Sequence, residues 1–129
     1  MERSDQTDRW IRSIMVRTAP PSLKDNTGDV DRLIKGIEKD LGGEEVRVDL
    51  ALAKRIPSFL REHGYEAEAL LCKGVSSWHV VDLFPRTKAG SFYGLAVDLG
   101  TSMIAVRLLD LGTGEVQEET SLLFSFPPP

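Results

Sequence analysis

The chain has 129 residues, 41% of them hydrophobic and 28% charged, with a formal net charge of −4. That balance is ordinary for a globular protein and excludes the basic footprint of a nucleic-acid binder. No apolar run approaches the roughly 20 residues of a membrane span, the N-terminus has no signal-peptide core, and the single cysteine, Cys72, excludes both an internal disulfide and a cysteine-ligated cluster held by this chain alone.

A cytoplasmic protein is the expectation, with no nucleic-acid or membrane partner. The length suits one modest domain, or a small domain plus a piece of another. Residues 1–9 are polar and acidic and read as a disordered tail. Trp10 to Thr18 is rich in β-formers and predicts a strand, ended by Pro20-Pro21 because proline cannot donate to a ladder.

Ser22 to Gly28 reads as a turn-rich loop, with Thr27 as the expected cap of the next helix. Val30, Leu33, Ile34, Ile37 and Leu41 form a one-faced stripe at helical spacing, ended by Gly42-Gly43. Such a stripe packs on a sheet.

A short β-like run, Glu45 to Val48, follows. Asp49 is the expected N-cap of a helix over 50–55. Pro57 is costly inside a helix and favoured in a first turn, so a second helix is predicted over 57–63, with the break at Ile56. Ile56, Phe59 and Leu60 should face the core. His63, near that helix's C-terminus, suits its dipole.

Tyr65 to Lys73 and Trp78 to Phe84 are predicted to pair as a hairpin across the turn Gly74–Ser77. His79 has no second ligand residue at metal spacing, and Cys72 reads as a small core residue. Pro85 to Gly90 has a loop texture and marks the best boundary. The expected organisation is a small α+β domain over 10–84, a linker over 85–91, and a second unit from 92 to 129.

That second unit opens with Tyr93 to Glu115. Leu95, Val97 and Leu99 share one strand face. Gly94, Ala96, Asp98 and Gly100 share the other, which is small and leaves room for a ligand beside Asp98. Gly100 permits an approach that a side chain would block, and Thr101 and Ser102 add hydroxyls and N–H groups where a phosphate could rest. An aspartate there makes sense beside a magnesium ion or an attacking water. Met103 to Asp110 and Val116 to Leu123 read as return strands around a second turn. The same string also suits an ordinary hairpin.

Ala96-Val97-Asp98-Leu99-Gly100-Thr101-Ser102, an apolar strand and then Asp-x-x-Thr-Gly-Glu resemble the first phosphate motif of the actin, sugar-kinase and heat-shock-chaperone ATPases. Pro20-Pro21-Ser22-Leu23-Lys24-Asp25-Asn26 followed by Asp29-Val30-Asp31-Arg32-Leu33, at that distance from the phosphate motif, resembles the middle domain of the reductive activators of corrinoid proteins. The resemblance implies an α+β fold: a small mixed α/β layer domain followed by the first β-hairpin or meander of an actin-like (ribonuclease H-like) ATPase domain.

It also implies an activity, ATP-coupled delivery of a low-potential electron that restores cobalt(I) in a corrinoid methyltransferase protein. Asp98, Gly100, Thr101 and Ser102 would be one edge of an ATP and magnesium site. No catalytic or metal-ligating residue carries over. The family's iron–sulfur cysteines, second phosphate motif and adenosine-contacting glycines have no counterpart. The ending Phe124-Ser125-Phe126-Pro127-Pro128-Pro129 departs from the family's continuation. A fragment inactive by itself is therefore expected, with a corrinoid protein as the implied partner and homodimerisation left open. The alternatives are a small non-catalytic interaction module and a fragment of another actin-like kinase or ATPase.

Overall fold

The computed structural model describes residues 9–86 and 92–125. The expected tail therefore falls almost entirely outside the described residues, as does most of the expected linker. The chain divides into two units, Met1–Ala89 and Gly90–Pro129. It is a mixed α/β protein with two separate sheets, of four and three strands.

The first unit runs β1 (Ile11–Arg17), α1 (Asp29–Asp40), β2 (Val46–Arg47), α2 (Leu50–Ala53), α3 (Ile56–Glu62), β3 (Glu66–Lys73) and β4 (Trp78–Phe84). Its sheet has the order β1-β3-β4-β2. β3 is antiparallel to both β1 and β4, so the predicted β3–β4 hairpin is present, while β2 lies parallel to β4. The helices supply the second layer. Leu33 and Ile37 of α1, Leu52 of α2 and Ile56 and Leu60 of α3 are buried with Ile14, Val16, Ala67, Ala69, Leu71, Trp78, Val80 and Leu83 of the sheet. Burying each of the large aliphatic side chains stabilises the unit by about 1.5–3 kcal/mol.

Local chemistry explains the element ends, with corrections to the sequence reading. The cap of α1 is Gly28, without a side-chain hydrogen bond. Thr27 instead donates its hydroxyl to Asp25 Oδ1 at 2.6 Å, so it shapes the loop rather than the helix. Asp49 caps α2 as expected, accepting from Leu52 N–H at 2.7 Å. The break between α2 and α3 falls at Lys54-Arg55, two residues earlier than predicted, because Ile56 already belongs to α3 and Pro57 sits in its first turn. His63 closes α3: its ring stacks on Phe59 and its Nδ1 lies 2.8 Å from the Phe59 carbonyl oxygen. Tyr65 is no strand residue. At φ 61° it completes, with Gly64, the reversal into β3, and its N–H donates to the Leu60 carbonyl.

Alternation along β3 points Ala67, Ala69 and Leu71 at the helices and Glu68, Leu70 and Cys72 away from them. Cys72 is thus half-buried on the outer face, not in the core. Glu68 on the same face is only 6% exposed and accepts the Ser13 hydroxyl hydrogen bond at 2.5 Å. Among the described residues no helix is long and apolar enough to cross a membrane.

The second unit is a meander of β5 (Tyr93–Leu99), β6 (Met103–Asp110) and β7 (Val116–Leu123), each pair antiparallel. None of its described residues is fully buried, and Leu99 is 75% exposed.

Candidate functional site

The β5–β6 register puts Asp98 opposite Ala105, and the β6–β7 register puts Ala105 opposite Ser121. Ala96 pairs with Arg107, and Arg107 with Glu119. Around Asp98 one face of the meander is therefore small and polar, with Ala96, Ala105, Arg107, Glu119 and Ser121, while Met103 and Leu123 at one end and Leu109 beside Gly94 at the other make its margins apolar. The other carries Leu95, Val97, Leu99, Ile104, Val106, Leu108 and Leu122, with Glu118 and Thr120 of β7 among them. In β5 the two faces have the composition expected from alternation. Asp98 and Arg107 line a shallow depression with Ala96, Val97 and Ala105. Arg107 Nε donates to Glu119 Oε1 at 3.1 Å, whereas the Asp98 carboxylate has no hydrogen-bond or ion-pair partner among the described residues.

The turn that follows Asp98 is tight. Gly100 N–H donates to the Met103 carbonyl at 2.8 Å. A Cβ on Gly100 would lie 2.8 Å from that same backbone oxygen, so only glycine closes the turn without displacing main chain. The close approach that Gly100 permits is thus to its own hairpin, and its N–H is used there. Thr101 and Ser102 differ: among the described residues neither their N–H groups nor their hydroxyls take a hydrogen bond. The Asp98 carboxylate and, in the turn that follows it, two hydroxyls and two backbone donors are therefore without hydrogen bonds among the described residues, although the depression beside Asp98 is lined by neither Thr101 nor Ser102.

The second glycine turn has the opposite chemistry. Asp110 Oδ1 accepts from Gly112 N–H at 2.7 Å and from Thr113 N–H at 3.1 Å. Thr113 Oγ1 accepts from Glu115 N–H, and Gly114 takes φ 78° while donating to the Asp110 carbonyl. That aspartate closes its own loop and leaves no donor set for a ligand. Both turns contain Gly and Thr, but only the one at Gly100–Ser102 keeps its polar groups open.

Sequence reasoning missed the centre of the Pro20–Asp29 loop. Arg32, on α1, is 7% exposed. Its Nη1 donates to the Ala19 carbonyl at 3.0 Å and to Asp25 Oδ2 at 2.7 Å, and its Nη2 donates to the Thr27 carbonyl at 3.1 Å. The Arg32 hydrogen bond, then those from Thr27, hold the Asp25 carboxyl well below the usual carboxylate range. The signal was an arginine within the first turn of an amphipathic helix, just after a loop rich in Asp, Asn and Thr. His79 is exposed, 3.4 Å from the Ser77 hydroxyl, and no metal-ligating group of three His, Cys, Asp or Glu occurs among the described residues.

A four-stranded antiparallel-rich sheet layered by three helices, followed by an open-turned meander, defines the class as a two-sheet α/β protein. Residues 2–90 match the model of the RACo linker region, and the chain belongs to that family. Among solved structures it is similar to a reductive activator for corrinoid, iron-sulfur protein, with a TM-score of 0.78 and 20% sequence identity over 95% of this chain. At that identity the likeness is one of fold, and the chain spans 19% of that protein's length. No curated protein matches the chain.

Proposed function

We propose that this chain is part of an ATP-dependent reductive activator that restores cobalt(I) in a corrinoid methyltransferase protein. The small α+β domain over 10–84, expected from the sequence as a middle domain, would instead lie in the linker region that residues 2–90 match, with 85–91 a connecting segment and 92–129 the start of an actin-like ATPase domain. The observation that carries this reading is the open turn beside Asp98: a free carboxylate on a small-residue face next to the unpaired donors of Thr101 and Ser102. The contrast with the self-closed Asp110 turn favours a ligand there over a plain hairpin.

The donor set fits a nucleotide phosphate and its magnesium ion. Asp98 would hold the ion, through water or directly, while Thr101 and Ser102 donate to phosphate oxygens and Gly100 keeps the turn narrow. When bound, the ion would neutralise phosphate charge and so admit Asp98 beside it. An iron–sulfur cluster does not fit these residues, since Cys72 stands alone and half-buried. One turn is one edge of a phosphate cradle, so these 129 residues by themselves are not expected to hold ATP or to transfer an electron. The proposed partner is a corrinoid protein, and the proposed location is the cytoplasm.

The test uses this chain joined to the remainder of an actin-like ATPase domain. Asp98→Asn should weaken magnesium-ATP binding by at least ten-fold, measured by titration calorimetry, with the fold unchanged by circular dichroism. Unchanged affinity would remove Asp98 from the site. It would then favour the reading of the chain as an interaction module.

A further inference from the structure

Asp98 and Arg107 carry opposite charges and line the same depression, yet they do not pair. Arg107 gives its Nε to Glu119 on β7 at 3.1 Å instead, and among the described residues its guanidinium makes no other hydrogen bond. Both Nη groups keep free donors, and the side chain is 54% exposed.

The register sets these groups in a row. Ala105 lies opposite Asp98, and Arg107 is two residues further along β6, opposite Ala96. That step carries Arg107 about 7 Å further from the Gly100–Ser102 turn than Asp98 is. Asp98 therefore stands between the open turn and the guanidinium. Ala96 and Ala105 keep the space between the two charges clear of bulk. The depression holds about 100 Å³, well under the roughly 300 Å³ at which pockets for whole small molecules begin. It has room for one phosphate group and none for a nucleoside, so a nucleotide that spans the row has its nucleoside on the turn side and its last phosphate beside Arg107.

We propose that Arg107 is the contact for the terminal phosphate of the nucleotide and makes this site prefer a triphosphate to a diphosphate; the inference rests on the nucleotide reading of Asp98. The turn would hold the inner phosphates, Asp98 the magnesium ion, and the two Nη groups of Arg107 the last phosphate as a fork. Glu119 takes Nε and so leaves both Nη groups for the ligand. The charges also make the contact depend on the metal. Asp98 and Glu119 outnumber Arg107, so the site by itself repels a phosphate, and a bound magnesium ion reverses that sign.

The test is titration of magnesium-ATP and of magnesium-ADP into this chain joined to the remainder of an actin-like ATPase domain. An exposed cross-strand ion pair contributes little to stability, so Arg107 variants should keep the parent circular dichroism spectrum. Arg107→Gln should weaken magnesium-ATP binding by about ten-fold and magnesium-ADP binding by less than about two-fold. Arg107→Lys keeps the charge and loses the fork, and its ratio of ATP to ADP affinity should fall between those of Arg107→Gln and the parent. Equal losses for ATP and ADP, or an unchanged ratio in both variants, would overturn the proposal. Asp98→Asn, titrated in parallel, separates the two readings. Weakened binding in Asp98→Asn with an unchanged ratio in the Arg107 variants overturns the role of Arg107 alone. Unchanged binding in all three variants removes the nucleotide site with it.

Discussion

Replacing Arg32 by methionine should unfold the first unit at much lower denaturant. Methionine keeps most of the aliphatic stem packed and deletes only the guanidinium. Three hydrogen bonds go with it, to the Ala19 and Thr27 carbonyls and to Asp25. A bond involving a charged group contributes about 1.5–3 kcal/mol when shielded from water. Asp25 is 45% exposed at its side chain, and the loop carbonyls can rehydrate once freed. Discounting for both leaves a loss of about 2–4 kcal/mol. With an m-value of about 1–2 kcal/mol/M for a unit of this size, the urea midpoint should fall by about 1–3 M. The assay is selective, because both tryptophans, Trp10 and Trp78, belong to the first unit and their fluorescence reports its unfolding alone. Arg32→Lys should recover less than half of the loss, since an ammonium cannot reach two carbonyls and a carboxylate in the same fork. Lys35→Met, on the exposed side of α1, is the control. A shift for Arg32→Met no larger than that of Lys35→Met would refute the view that this arginine holds the loop.

The same loop should make the protein acid-sensitive. Asp25 has its folded pKa depressed by Arg32 and Thr27, and Glu66 has its own depressed by Arg86 and then Arg17. Stability from a depressed carboxylate is present above the unfolded value of about 4 and is lost as pH falls below it toward the folded value. Urea midpoints should therefore drop progressively below that pH, and Asp25→Asn should start lower at neutral pH and change less on acidification. An Asp25→Asn profile parallel to that of the parent chain would count against this. Separating the units gives a further outcome. Residues 9–86 should unfold cooperatively, since they contain every fully buried hydrophobic residue described. Residues 92–125 should show little strand signal by circular dichroism, because three strands with an uncovered apolar face are marginal in water. A cooperative transition in the shorter piece would contradict that.

How far the sequence reached depended on the range of the interaction. Elements driven by periodicity were readable: the α1 stripe of Leu33 and Ile37, the β3–β4 hairpin, and the two faces of β5 set by Leu95, Val97 and Leu99 against Ala96 and Asp98. Details decided by longer-range geometry were not. Thr27 looked like a cap because capping chemistry and loop chemistry use the same hydroxyl, and only the position of Asp25 settles which it serves. Cys72 looked like core because apolar neighbours surround it, yet strand parity set by Ala67, Ala69 and Leu71 turns it outward. The role of Arg32 was not read from the sequence at all, because its three acceptors lie 5 to 13 residues upstream in an irregular loop. At the candidate site, the motif showed where Asp98, Thr101 and Ser102 lie. It did not show that Gly100 N–H is already taken or that Asp110 satisfies its own turn.

The bulge in β4 has a consequence for how this family can vary in length. Leu70 pairs with Asp82 and Leu71 with Val80, so Val81 is one residue more than the ladder needs. Val80 and Leu83 both point inward although three positions separate them. A chain lacking Val81 would have a regular strand with Trp78, Val80 and Leu83 still facing the helices and His79, Asp82 and Phe84 still facing out. Loss of one residue elsewhere in the strand would instead invert every side chain beyond it. The strand thus has one site where a codon can come or go without the core registering it. Relatives of different length would be expected to differ there rather than in the strand's flanks.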